Sequence, residues 1–106
     1  MANPQIPFWI TPFDMTYKAM YTYTIRNTLN VACTVKLRKG SNPTTFADTT
    51  QLVSIGAGVT GAVNDESHPV TFAKGDLMNT QVAAGSGTGS IAPPYVTYAC
   101  FKAPGV

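Results

Sequence analysis

Charge is scarce in this chain: only 11% of its 106 residues are Asp, Glu, Lys or Arg, and a single histidine, His68, accompanies them. One histidine leaves little room for a catalytic triad or a metal site, because both need several convergent donors. The seven basic residues are scattered, so a net charge of +2 offers no run that could track a phosphate backbone, and nucleic acid is not an expected partner. No stretch approaches the ~20 apolar residues of a membrane span. The first residues carry neither a basic leader nor an uninterrupted apolar stretch, so neither classical secretion nor membrane insertion is expected. Two cysteines, Cys33 and Cys100, are too few for a disulfide scaffold and too far apart for zinc-ligand spacing. Both fall in strand-like runs, which reads as two buried thiols in a reducing cell rather than as a bridge.

What is present favours strands. Nine glycines and eight prolines punctuate the chain, and Val, Tyr, Phe and Thr dominate between them. With so few charges, the surface must be covered by Thr, Ser, Asn, Gly and Ala, a composition that packs well against neighbours.

The first fourteen residues contain the segment PQIPFWITPF, whose prolines bar a regular helix. Ile6, Phe8, Trp9, Ile10 and Phe13 make it an extended arm with apolar anchors, and these five are the candidate partner-binding residues. The arm can fold back over its own domain or dock on a neighbouring subunit. Residues 15–106 form the domain proper. From Met15 to Ile25, alternation places Met15, Tyr17, Ala19, Tyr21, Tyr23 and Ile25 on one face, in one long strand or two broken at Ala19. After a turn at Asn27 to Asn30, Val31, Cys33, Val35 and Leu37 point inward and Thr34, Lys36 and Arg38 outward. A turn at Gly40 to Pro43 follows, then a short strand from Gln51 to Ile55 and a bend at Gly56, Gly58 and Gly61. Further strands are predicted over Val70 to Ala73, Leu77 to Ala84 and Tyr95 to Phe101, the last two joined by a flexible connection at Gly85 to Gly89. Seven or eight short strands with Gly-rich corners describe an all-β antiparallel sandwich or jelly roll.

The succession ACTVKLRKG, TTQLVSIGAGVTGAVND, PVTFAKGDLMNTQVAAGSGTGS and YVTYACF, over residues 31 to 102, resembles the small TNF/C1q-like jelly-roll domains of bacteriophage virion surface proteins. Val35 to Gly40, Leu52 to Gly61, Val70 to Leu77 and Tyr95 to Phe101 carry the resemblance. The Pro-rich arm and the segment Lys39 to Pro43, where such domains often have an Asn-Gly hairpin, depart from it. The resemblance implies a homotrimer about a three-fold axis on the outside of a capsid or at the tip of a fibre.

Chemistry-bearing constellations are few. Asp65, Glu66 and His68 sit in one loop and are better read as a solvated turn than as metal ligands. Cys33 and Cys100 lie in apolar runs that do not activate a thiol. Asp76, after Gly75, is suited to hydrogen-bonding backbone at a strand entrance. Gly85 to Gly89 lacks the lysine and following helix of a phosphate loop. Lys36, Arg38 and Lys39 form an outward basic set suited to keeping an edge soluble or meeting an acidic partner. Tyr17, Tyr21 and Tyr23 could be a carbohydrate platform, a domain core or a subunit interface. No catalytic, cofactor-binding or metal-binding residue is therefore assigned. The expected function is that of a capsid decoration or cement protein, made in the host cytoplasm and bound multivalently to the major capsid protein or another virion protein. The alternative is a fibre or spike tip that binds a host receptor or glycan through the loops Gly40 to Thr50 and Gly85 to Pro94.

Overall fold

The computed structural model describes residues 8–102; Ile6 and the rest of residues 1–7 lie outside the described part, as do residues 103–106. Among the described residues there are eight strands and no helix: β1 (Trp9–Ile10), β2 (Met15–Thr24), β3 (Cys33–Asn42), β4 (Thr45–Ile55), β5 (Gly61–Asp65), β6 (Val70–Phe72), β7 (Leu77–Ala84) and β8 (Tyr95–Lys102). All pairings are antiparallel. One sheet runs β1-β7-β3-β4. In the other, Met15 to Tyr17 of β2 pairs with both β6 and β8, and Met20 to Tyr23 with both β5 and β8. A strand has only two edges, so β8 occupies one and β6 and β5 share the other.

The two sheets pack face to face over a core of Met15, Tyr17, Met20 and Phe72 from one and Cys33, Val35, Leu37, Val53 and Ile55 from the other. The Tyr17 ring lies 4.7 Å from that of Phe72 and meets Tyr98 edge-on at 5.4 Å. Phe72, Met20, Leu37, Ile55 and Val35 are all completely buried, and each such side chain contributes about 1.5–3 kcal/mol. A polar staple joins the sheets at their β4 margin. There the β4 chain spends three residues, Thr49 to Gln51, against one of β3, Leu37. The detour turns Gln51 inward, where its Nε2 donates to the Tyr17 carbonyl at 2.9 Å and the His68 carbonyl at 3.0 Å.

Four expectations need correction. The single face predicted for Met15 to Ile25 switches half-way, because a bulge falls between Tyr17 and Ala19, with Lys18 as the extra residue opposite β8. Beyond it Met20, Thr22 and Thr24 are buried, while Tyr21, Tyr23 and Ile25 turn outward. The turn predicted at Gly40 to Pro43 sits at Pro43 and Thr44 instead, and Gly40 lies within β3. A Cβ there would stand 2.9 Å from the Phe46 ring and 2.5 Å from the Thr45 carbonyl, so the glycine serves close packing rather than a bend. Lys39 leaves the outward basic set, since it follows Arg38 in an alternating strand; its Nζ donates to the Thr71 carbonyl at 2.7 Å and lies over the Phe72 ring. Of the two thiols only Cys33 is buried, because Cys100 sits on β8 at the margin of its sheet.

The connection from Gly85 to Gly89 is also tied down. Thr28 N–H donates to the Ser90 carbonyl and Asn30 N–H to that of Thr88, while Thr88 N–H and Ser90 N–H donate back to Asn30 Oδ1 and Thr28 Oγ1. Gly89 permits this approach: its φ is +94°, and no side chain fits against Thr28.

Candidate interaction surface

The four candidate anchors within the described residues, Phe8, Trp9, Ile10 and Phe13, separate in space. Trp9 and Ile10 form β1, paired with Met78 and Leu77 on the outer edge of β7. The next turn clamps this short strand: Thr11 N–H donates to the Asp76 carbonyl at 2.9 Å, Gly75 N–H to the Thr11 carbonyl at 2.8 Å, and Lys74 N–H to Asp14 Oδ1 at 2.8 Å. Asp76 closes the Ala73–Asp76 turn by accepting from the Ala73 N–H at 2.9 Å, the backbone role its position after Gly75 suggested. Phe13 is half-buried against the core, with the Lys102 ammonium 5.3 Å from its ring centre. Phe8, Trp9 and Ile10 remain 37%, 46% and 57% exposed, which sets them apart from Phe13 as available apolar side chains. Backbone pairing holds Trp9 and Ile10 at fixed positions on the sheet edge, so much of their ordering entropy is already spent before any partner arrives.

A second apolar area covers the outer face of the β2 sheet. The bulge at Lys18 puts Tyr23 directly opposite Tyr95, and the two are 55% and 65% exposed. Tyr21, two residues back on the same face, donates its hydroxyl to Glu66 at 3.3 Å. Tyr17, the third member of the tyrosine set, is in the core, its hydroxyl buried with no partner among the described residues, and burial pushes its pKa up. Phe101 is exposed on the same outer face, opposite Thr16. Sequence reasoning missed Tyr95 and Phe101 as surface residues because YVTYACF reads as a fully buried strand, whereas β8 is the margin of its sheet with one side open.

The loop acids do structural work. Asp65 is buried and accepts hydrogen bonds from the amides of Leu52, at 3.0 Å, and Ser67, at 3.1 Å, and from His68 Nδ1 at 2.9 Å. Burial alone would raise its pKa, but the hydrogen bonds from His68 and the two amides outweigh it, and the carboxyl is held below its usual range. The Ser67 hydroxyl lies 3.3 Å from that same His68 Nδ1. A nucleophilic triad needs the hydroxyl on the other ring nitrogen, so the three residues form a turn that docks the end of β5 on β4. No group of three or more His, Cys, Asp or Glu side chains suited to a metal occurs among the described residues.

Lys36 and Arg38 converge on Asp48 across the sheet, Lys36 Nζ at 3.0 Å and Arg38 Nε at 3.1 Å, the latter an ionic contact without hydrogen-bond alignment. Arg38 also donates to the Phe46 carbonyl at 2.8 Å. The hydrogen bond from Lys36 leads the influences that hold Asp48 below the usual carboxylate range. One of the two positive charges is thus offset within the sheet. A groove of about 580 Å³ lies beside it, lined by Lys39, Ala47 to Thr50 and Pro69 to Thr71. The segment Gly40 to Thr50 that was a candidate binding loop is a β-hairpin, with loop character only at Pro43 and Thr44.

Set beside protein-family models, curated proteins and solved structures, the chain finds no match in any of the three. Its function has to be argued from its own surfaces.

Proposed function

We propose that this chain is a structural protein of a bacteriophage virion, a decoration or cement protein that sits on the outer shell and grips the major capsid protein. The observation that carries this reading is the exposed Trp9 and Ile10, held on a sheet edge by β1 pairing and the Thr11 clamp. Clustered aromatic and aliphatic anchors at fixed positions are what a protein contact uses at its centre. The resemblance to TNF/C1q-like phage surface domains supplies the virion context. The chain's repeated crossings between its two sheets suit the jelly-roll form of that family. The reading includes a homotrimer whose three arms engage several capsid subunits together, so that weak contacts combine through effective concentration. The protein acts by binding, without catalysis or cofactor, and reaches the shell after synthesis in the host cytoplasm.

The outer face of the β2 sheet favours a second use. Tyr23 and Tyr95 present aromatic rings on the outer face beside the polar groups of Tyr21, Asn64 and Thr97, an arrangement on which a sugar ring can stack. On this reading the domain is a fibre or spike tip that binds a host glycan. Quantitative mass spectrometry of purified particles, combined with imaging of the shell, separates the two. Copies spread over the whole lattice, lost when Trp9→Ala is introduced, support the cement reading. Copies confined to vertices or tail, insensitive to Trp9→Ala and with glycan affinity lost in Tyr95→Ala, support the tip. Absence from particles removes both.

A further inference from the structure

The edge of β7 is only partly used. Antiparallel strands point their main-chain groups alternately to either side. Thr11 and Trp9 face β7 at Asp76 and Met78, so the β7 residues facing the arm continue as Thr80, Val82 and Ala84. Beyond Met78 no described strand pairs with them on that side. Their side chains are uncovered too: Val82 is 45% exposed, although Val35 beside it on β3 is completely buried.

Trp9, opposite Met78, stands beside the start of the open stretch, and residues 1–7 precede Phe8 in the chain. At roughly 3.3 Å per residue they span about 23 Å, more than enough to cover Thr80 to Ala84. The register of β1 disfavours their pairing with their own β7. Continuing the register of β1 puts Pro7 opposite Thr80, where it has no N–H to donate and its ring fills the donor's place. Allowing one extra residue in the arm puts Pro4 opposite Val82 with the same result. The opposite slip needs an extra residue in β7, and β7 pairs with β3 without interruption from Leu77 to Ala84.

We propose that residues 1–7 of one copy add to the β7 edge of a second copy. Freed from the register of its own β1, the arm can set Ile6 opposite Val82 and Phe8 opposite Thr80. Pro7 then turns its nitrogen to solvent, and Pro4 falls opposite Ala84, the last residue of the strand. Ile6 and Phe8 share the face of Val82 and cover the open margin of the core. Passed head to tail from copy to copy, such arms make a heterologous contact, the kind that closes a ring when the rotation between copies completes a turn. The inference rests on the oligomer in the function proposed above, but not on the virion.

The test is amide hydrogen exchange on the full chain at low and high concentration, with mass in solution from light scattering. We expect the amides of Thr80, Val82 and Ala84 to slow by roughly tenfold or more as the oligomer forms. Those of Asn79, Gln81 and Ala83, which face β3, are slow throughout and serve as the internal reference. Ile6→Asp should return the chain to monomer and speed only the first three. Protection of those three in a monomer at every concentration overturns the inference in favour of the chain's own arm. An oligomer in which they exchange fast overturns it in favour of another interface and leaves the virion reading standing. Absence of the chain from particles removes the virion reading and leaves this one untouched.

Discussion

Asp65 is the residue on which one corner of the molecule turns. Its two carboxylate oxygens answer the amides of Leu52 and Ser67 and the ring nitrogen of His68 while almost removed from solvent. No uncharged isostere can do this, because an asparagine would direct its NH₂ group at one of the donors. Leaving a buried amide unpaired costs about 1–3 kcal/mol. The pKa of Asp65 is lowered by folding, so its contribution is fully present above the unfolded value of about 3.9 and is lost as pH falls through the lower folded value. Asp65→Asn should therefore lower stability at pH 7 by about 1–3 kcal/mol and flatten the acid side of the stability profile. Urea unfolding at pH 7 and pH 3 measures both. Asp48 is also held low, by Lys36 and Arg38, and remains in the variant, so the difference between the two proteins isolates Asp65. A variant whose loss of stability is the same at both pH values would place the effect in packing instead of charge.

At the scale of the element, β2 shows both what the sequence reveals and where it stops. Its existence was legible in the alternation, as were the strands at Cys33 to Leu37, Leu77 to Ala84 and Tyr95 to Phe101. Its phase was not, because Met20 and Tyr21 are both large and largely apolar, and either could be the core residue. What decides is Lys18, which β8 leaves unpaired, and an unpaired residue has no composition of its own. Gly40 failed for a related reason: the Phe46 ring that covers it comes from the next strand. The apolar arm was visible at once, yet the exposure of Trp9 and the burial of Phe13 depend on β7 and on the core, both distant in sequence. Deleting Lys18 tests this account. Removing the bulge while keeping the β2 pairing with β5 would drag Met15 and Tyr17 to the outer face. The loss should reach the scale of a large core truncation, about 3–5 kcal/mol or more. Lys18→Ala keeps the chain length and should stay within about 0.5 kcal/mol of the parent. Equal damage from both would mean that the lysine side chain matters, and the extra residue does not.

At the scale of the whole molecule, the sandwich is broad for its thickness. Its radius of gyration is 14.8 Å, where a compact chain of about 100 residues has about 13 Å. Two layers of strands give a core only one layer of side chains deep, and a domain of this size is already limited in how much surface it can bury. Trp9, Ile10, Val82, Tyr95 and Phe101 accordingly remain in water, most of them along the β7 and β8 margin. An isolated subunit with that margin uncovered should be modestly stable and should gain stability from anything that covers it. Self-association supplies this by mass action, contributing about 1.4 kcal/mol per tenfold rise in free partner above its dissociation constant. In a domain of this length each kcal/mol moves the midpoint by roughly 4–8 °C. Calorimetry at increasing protein concentration should therefore show a thermal midpoint that climbs by several degrees per decade. Ile6→Asp should hold it at the low-concentration value. A midpoint independent of concentration in the parent chain would mean that the margin stays open in solution and that its cover comes from a different protein.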